Sequence, residues 1–156
     1  MRSRGVLLGS GIALVVAGTL AAWWGIGDMT DPDLLRQGIE PDYGYEPITF
    51  GATGDRLIGI VACVVAVAAA VLLLGATVTR RLRAAWWFVL VPLVVTGLLA
   101  ALVQRVLTAG VIGGNIGGGL LAMAATPIML ALVATAVAVA SRLSRPRHPA
   151  WLPQQG

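Results

Sequence analysis

The sequence contains no lysine, a single histidine and a single cysteine, and it has no acidic residue outside one short segment. His148 and Cys63 alone are too few for a multi-histidine metal site, a haem site with two histidines or an intrachain disulfide. The phosphate-loop and HExxH patterns are missing as well. We therefore expect no catalytic, cofactor-binding or metal-binding residue in this chain.

Charge is also scarce, since only 12% of the 156 residues are charged and 58% are hydrophobic. Soluble domains carry roughly 25% charged residues. The mean hydropathy of +0.87 agrees with this bias, so the sequence predicts an integral membrane protein. All eleven basic residues are arginines in short clusters between apolar runs, a pattern typical of loops beside membrane helices rather than of a nucleic-acid interface.

Four apolar runs are each close to the roughly 20 residues that cross the hydrocarbon core. We predict an all-α integral membrane protein, a single membrane domain whose four transmembrane helices cover residues 5–27, 57–78, 84–105 and 117–140. The first run could instead be a cleaved signal peptide. We expect it to be retained, because it is longer than a usual signal core and Trp23 and Trp24 follow the small residues near Ala21.

Arginine placement predicts the orientation of the four helices. Eight arginines alternate with the apolar runs so that they face one side: Arg2, Arg4, Arg80, Arg81, Arg83, Arg142, Arg145 and Arg147. Because arginine near helix ends is retained in the cytoplasm, both termini and the tail 141–156 are expected inside, with loop 28–56 extracytoplasmic. The lysine-free, alanine-rich and glycine-rich composition suggests a bacterial plasma membrane.

All seven acidic residues lie in this outer loop, which we interpret as a docking surface. They are Asp28, Asp31, Asp33, Glu40, Asp42, Glu46 and Asp55. Their field would steer a basic extracytoplasmic protein, and added salt would weaken it. Within the loop, the capping-box spacing of Thr30 and Asp33 predicts a short helix over DPDLLRQG. The acids depart from the ligand spacing of an EF-hand, so a calcium site is not expected.

Small residues spaced by four predict close helix contacts, either within the bundle or with other integral membrane proteins. The candidates are Gly5, Gly9, Gly59, Cys63, Gly110, Gly114 and Gly118. Pro92 and Pro127 fall inside predicted spans, where each removes a backbone hydrogen bond. Thr96 and Thr126 are near enough in sequence to satisfy the freed carbonyls.

Polar residues at the outer boundary of the third and fourth runs are few, namely Gln104, Arg105 and Asn115. Charged residues within a membrane often mark ion paths, but Arg105 stands alone among the apolar spans. We expect it to extend toward the outer headgroups or to pair with Asp28 or Asp55. These three residues do not amount to a conduction path.

The leading functional hypothesis is a non-catalytic accessory or scaffolding subunit of a larger membrane complex, with an energy-converting, respiratory complex as one candidate host. The alternative is a small self-associating transporter or channel. A third hypothesis, a lipid-modifying enzyme using loop carboxylates, would need paired acids on a rigid scaffold. The expected partners are other integral membrane proteins, anionic lipid at the arginine clusters and a basic extracytoplasmic protein, with no nucleic acid.

Overall fold

Four long apolar helices and one short helix make up the part of the protein that the structure describes. The computed structural model describes residues 2–41, 43–47 and 49–145, with the backbone alone at 2–4, 35, 114 and 115. The helices are α1 (Arg2–Ile26), α2 (Pro32–Arg36), α3 (Gly51–Val78), α4 (Trp87–Leu107) and α5 (Gly114–Ser144). A single 3-10 turn, Ala84–Trp86, precedes α4. The described part contains no strand, and its four long helices are apolar enough to cross a membrane, which confirms the prediction of an all-helical chain with four candidate spans.

Helix ends extend beyond the apolar runs. The third helix in chain order, α3, begins at Gly51, six residues before the predicted start at Leu57, and α5 continues to Ser144. Hydropathy locates the hydrocarbon-spanning part of a helix, whereas a helix continues into the headgroup region wherever no proline or cap stops it. The segment from Gly51 to Arg56 contains no proline, so part of the predicted outer loop is helical.

The long helices pack in the spatial order α3, α1, α4, α5. The central helices α1 and α4 run in the same direction, since Gly11 of α1 meets Leu90 of α4 near one end and Trp23 meets Arg105 near the other. The flanking helices run the opposite way. One end of the bundle therefore gathers the end of α1, the loop 27–50, the start of α3 and the α4–α5 turn 108–113. We call it the acidic end, and the opposite end the arginine end.

Close approach at small residues holds neighbouring helices together. Gly97 of α4 lies against the Thr19 side chain of α1, and the Cβ that Gly11 lacks would stand 3.3 Å from Leu90 Cδ2. Gly118 of α5 lies against Leu107, with 2.7 Å from its missing Cβ to Leu107 Cδ2. Because lipid removes most of the hydrophobic drive between helices, such contacts supply much of the packing energy.

The two prolines occur inside α4 and α5, as the sequence indicates. The prediction that Thr96 and Thr126 bond the carbonyls freed by these prolines is wrong. Thr96 donates its hydroxyl to Pro92 O at 2.8 Å, and Thr126 donates to Ala122 O at 2.7 Å. The carbonyls that a proline frees lie four residues before it, so both threonines instead make the i−4 bond that hydroxyl side chains commonly form in membrane helices.

Candidate functional site

The loop at the acidic end is fastened by three hydrogen bonds, two of them to the α4–α5 turn and one to the last residue of α4. Asp31 N donates to Gly110 O at 3.1 Å, and Tyr45 N donates to Leu107 O at 2.9 Å. In return, Gly110 N donates to Thr30 Oγ1 at 3.2 Å. The carbonyls at the end of a helix lack intrahelical partners, and the loop supplies one to α4. Loop and turn therefore form one structural unit.

Gly110 is the residue around which this unit closes. It is buried, and a Cβ at this position would stand 2.7 Å from Tyr43 Cε1, 2.8 Å from Pro41 Cβ and 2.9 Å from Thr30 Cγ2. Real Cβ atoms essentially never come this close to other heavy atoms. Gly110 was predicted as a helix-packing residue, but it lies in the turn between α4 and α5 and packs against the loop.

The short helix α2 gives the loop its shape, and its capping differs from the prediction. Asp31 is the residue that caps α2, accepting a hydrogen bond from Asp33 N at 2.9 Å. Thr30, which was predicted to cap this helix, accepts from Gly110 instead. Gly38 ends the helix with a left-handed φ of 68°, and Ile39 N donates back to Leu34 O at 3.0 Å. This is the six-to-one bond typical of a Schellman ending.

Four of the predicted docking acids have partners within the chain. Besides the α2 cap, Asp28 accepts from Thr30 N at 3.0 Å, Asp55 accepts from Phe50 N at 3.1 Å, and Asp33 pairs with Arg36 at 3.1 Å. Both side chains of the Asp33–Arg36 pair are exposed to solvent, so the pair adds little stability. These carboxylates shape the loop while their negative charge stays at its surface.

Glu40 and Glu46 have exposed side chains that form no hydrogen bond within the part of the chain that the structure describes. Asp42, the remaining predicted docking acid, lies outside the described residues. The described acids thus form two groups. Four of them make hydrogen bonds or an ion pair within the loop and α3, and Glu40 and Glu46 contribute only negative charge at the surface. Removing Glu40 and Glu46 would change charge without removing a bond of the loop.

Asp28 has an altered titration because of its position beside Thr30. Hydrogen bonds from the Thr30 backbone and then from its side chain hold the pKa of Asp28 below its ordinary value of 3.8, and the positive charge of Arg105 acts in the same direction. Partial burial opposes this shift. The carboxylate form of Asp28 is therefore the one that the folded loop favours.

Arg105 joins α4 to α1. Its Nε donates to Trp23 O at 2.6 Å, and its guanidinium carbon lies 3.9 Å from the centroid of the Trp23 ring. The Trp23 carbonyl lacks its usual helical donor because Gly27 N bonds to Trp24 O. A cation at the negative end of the helix dipole is favourable, and stacking on tryptophan adds a cation–π attraction. Arg105 thus caps α1.

The expected ion pair of Arg105 with Asp28 or Asp55 does not form at ion-pair distance among the described residues. The positive charge of Arg105 nevertheless lowers the pKa of Asp28. The neighbouring Gln104 has an exposed side chain, and its carbonyl accepts from both the backbone and the hydroxyl of Thr108. The side chain of Asn115 lies outside the description, so a polar network of the three residues stays a prediction.

Trp23 and Trp24 attach α1 to a different neighbour each. Trp24 lies against Gly59 of α3, where the glycine leaves room for the indole ring. Trp23 faces Arg105 of α4. Successive residues on a helix point about 100° apart, so a tryptophan pair reaches both flanking helices. The sequence alone does not indicate these contacts, because they depend on which helices lie beside α1.

The remaining predicted packing residues differ in their surroundings. Gly5 and Gly9 are exposed, with nothing within 4 Å of an added Cβ, and Cys63 is half-buried. The surroundings of Gly114 lie outside what the structure describes. For Gly5 and Gly9, a packing role stays a prediction that concerns contacts outside the chain.

Two further features concern the side chains that the structure describes. The described residues contain no group of three or more histidine, cysteine or acidic side chains placed to hold a metal ion. An open groove of about 420 Å³ lies between α1 and α3, lined by apolar residues such as Ala17, Leu20, Leu57 and Val61. A groove of this composition offers no polar group to orient a reacting substrate.

Comparison with protein-family models, with curated proteins and with solved structures finds no match for this chain.

Proposed function

We propose that this protein is a non-catalytic accessory or scaffolding subunit of a larger complex in a bacterial plasma membrane. In this proposal the acidic end faces the extracytoplasmic side, as the arginine distribution favours. It docks a basic segment of a partner, while apolar helix faces contact other integral membrane proteins. An energy-converting complex such as a respiratory one is a candidate host.

The observation that carries the proposal is the attachment of the loop to the α4–α5 turn through Thr30, Asp31, Tyr45, Leu107 and Gly110. A loop fixed in shape loses less conformational entropy when a partner binds, so each contact contributes more to affinity. An acidic segment without such attachment would be a solvated tether. The ordered loop instead presents its charges at defined positions.

Charge placement supports a basic partner. Glu40 and Glu46 are exposed beside the ordered segment, and the nearby Asp31 and Asp33 are also exposed while they shape α2. Complementary charge across an interface mainly speeds encounter and selects the partner. Association through this surface is therefore expected to weaken as ionic strength rises, because the Debye length shortens to about 3 Å at 1 M salt.

The helix arrangement supports contacts within the membrane. Because the four helices pack as a row, α3 and α5 lie at its edges and each packs on a single long neighbour. Gly5 and Gly9 of α1 leave open space on the surface, where the backbone of another helix could approach closely. A small protein with this shape fits at the side of a larger membrane assembly.

The experiment that tests docking is a comparison of Glu40→Gln/Glu46→Gln with wild type in a partner-association assay at low and high salt. The double variant removes two charges and no hydrogen bond of the described loop, so it is expected to weaken association at low salt and to reduce its salt dependence. Hydrogen exchange at the Asp31 and Tyr45 amides is the control that the loop keeps its shape. Equal association of variant and wild type at every salt concentration would contradict acidic docking.

The alternative proposal is a small transporter or channel formed by self-association. Arg105, the charged residue of the predicted spans, is engaged with Trp23 and is thereby less suited to serve as an ion-path residue. Flux through liposomes containing only this protein would support the alternative over the accessory role. A lipid-modifying activity would require turnover that Asp28→Asn or Asp55→Asn abolishes.

A further inference from the structure

A surface of five arginines lies at the end of the bundle opposite the acidic loop. Its residues are Arg80, Arg81 and Arg83 in the α3–α4 connection and Arg142 and Arg145 at the end of α5. We call this set the arginine platform. All five side chains are exposed.

The α3–α4 connection is an ordered turn rather than a loose linker. Thr79 N donates to Gly75 O and Leu82 N donates to Ala76 O, both at 2.9 Å. Arg80 between them takes a left-handed φ of 56°, which a non-glycine residue adopts only where the surrounding bonds require it. The three arginines of this turn therefore project from a fixed backbone.

Two contacts join this turn to the rest of the bundle. Trp87 Nε1 donates to Thr77 Oγ1 at 3.0 Å, which ties the start of α4 to the end of α3. The 3-10 turn Ala84–Trp86 packs against α5. Since α5 runs antiparallel to α4, its final turns carry Arg142 and lie beside the α3–α4 connection. The two groups of arginines thus share one face of the arginine end.

No acidic side chain among the described residues lies at this surface. Every acidic residue of the sequence falls between Asp28 and Asp55, and those that the structure describes lie at the acidic end. Within the described residues the one ion pair, Arg36 with Asp33, is also there. Five like charges on an ordered surface raise the local concentration of anions, so the negative groups that accompany the platform come from another molecule.

The position of the platform indicates which anion this is. Trp86 and Trp87 are half-buried at the start of α4, and tryptophan prefers the boundary between lipid headgroups and hydrocarbon. The platform arginines immediately precede these rings or end the apolar helix α5. Guanidinium groups at this depth meet phosphate oxygens, to which their planar fork binds with two hydrogen bonds.

We propose that the arginine platform binds the phosphate headgroups of anionic phospholipids, and that the ordered α3–α4 turn and the end of α5 contribute to one shared site. An acidic segment of a soluble protein has matching charge, but the arginines flank the ends of apolar spans, where lipid phosphates are already concentrated. This inference does not depend on the accessory role, since the purified protein alone should show it.

The test uses the purified full-length chain and counts lipids retained in native mass spectrometry after exposure to phosphatidylglycerol, diphosphatidylglycerol or phosphatidylcholine. Wild type is expected to retain both anionic lipids over phosphatidylcholine, and less strongly at high salt. Removing one near-surface arginine should weaken retention about fivefold. The triple change Arg80→Asn, Arg81→Gln, Arg83→Gln should therefore weaken it roughly a hundredfold if the effects add. Asparagine is chosen at residue 80 because it tolerates left-handed backbone.

Two further variants keep the test decisive. Arg142→Gln/Arg145→Gln changes the exposed end of α5 and is expected to weaken retention even if the triple variant folds poorly. Arg36→Gln/Arg56→Gln removes two exposed arginines near the acidic end and should leave retention at the wild-type level. Equal retention of anionic and neutral lipid by wild type would overturn the proposal. So would unchanged retention in both platform variants, or binding of an acidic peptide in place of anionic lipid.

Discussion

Arg105 of α4 lies with its guanidinium carbon 3.9 Å from the centre of the Trp23 ring and donates from Nε to the carbonyl of the same residue. Two residues 82 positions apart in sequence are thus joined twice, once through a ring face and once through the backbone. This contact fixes the ends of the central helices relative to each other. It is also close enough to the acidic loop for the charge of Arg105 to lower the pKa of Asp28.

Replacing Arg105 is expected to destabilise the bundle. Arg105→Gln removes a cation–π contact worth about 0.5–2 kcal/mol and a charge-assisted hydrogen bond worth about 1.5–3 kcal/mol. We expect a net loss of about 2 kcal/mol, because glutamine and water recover part of the bonding. Denaturation in mixed micelles, followed by tryptophan fluorescence, measures this loss. Arg36→Gln is the control, since its exposed pair with Asp33 contributes about 0–1 kcal/mol. Equal losses in both variants would contradict the capping role of Arg105.

Gly110→Ala is expected to release the outer loop from the α4–α5 turn. The added methyl group would stand within 2.9 Å of Tyr43, Pro41 and Thr30, so the loop must move and its hydrogen bonds to the turn are lost. Limited proteolysis should then cut within residues 28–50 at an increased rate. Gly117→Ala is the matched control, because nothing lies within 4 Å of its added Cβ and an interior helical alanine is favoured by about 0.5–1 kcal/mol. Undiminished protection of the loop in Gly110→Ala would show that the contact is dispensable.

Gly59→Ala is expected to weaken the pairing of α1 with α3. The indole ring of Trp24 occupies the space that a Cβ would need, and forced overpacking typically costs about 1–3 kcal/mol. Thermal unfolding in detergent measures this cost, and the altered environment of Trp24 should shift the fluorescence of the folded protein. Gly75→Ala on the same helix meets nothing within 4 Å and should not lower stability. A stable Gly59→Ala variant with unchanged fluorescence would argue against the contact.

Acid is expected to loosen the loop through Asp28. Because its pKa is lowered in the folded protein, the carboxylate contributes stability that is present above its ordinary value of 3.8 and is lost as pH falls through the lower, folded value. The stability difference between wild type and Asp28→Asn should therefore be constant well above pH 3.8 and shrink as the pH falls below it. Hydrogen exchange of the loop amides in both proteins measures it. A difference that persists at low pH would mean that the carboxylate charge is not responsible.

Local patterns were sufficient to predict the spans and the presence of α2. An apolar run needs only composition and length to be recognised, and the capping-box spacing indicated a short helix over DPDLLRQG. The sequence did not identify the residue that caps α2, because two neighbouring side chains are able to do so. Both Thr30 and Asp31 are able to cap α2, and the choice of Asp31 follows from the binding of Thr30 by Gly110, 80 residues away.

Contacts between distant segments were beyond sequence reasoning for a physical reason. The partners of Arg105 and Gly110 depend on α1 lying between α3 and α4, and an apolar helix in lipid carries little information about which neighbour it takes. The acids near Arg105 suggested an ion pair, whereas the unsatisfied end of α1 provided the acceptor at Trp23. The capping of α1 by Arg105 can be predicted only when the spatial order of the helices is known.

The accessory-subunit proposal is tested most directly by purifying the protein in mild detergent from its native host at endogenous expression. Wild type and Glu40→Gln/Glu46→Gln are compared by mass spectrometry and by optical spectrum. We expect stoichiometric recovery of wild type with other membrane proteins, and reduced recovery of those proteins with the double variant or at raised salt. Haem absorbance in the isolated material would assign the host to an energy-converting complex. Recovery of wild type alone or only as a homo-oligomer would contradict the accessory role.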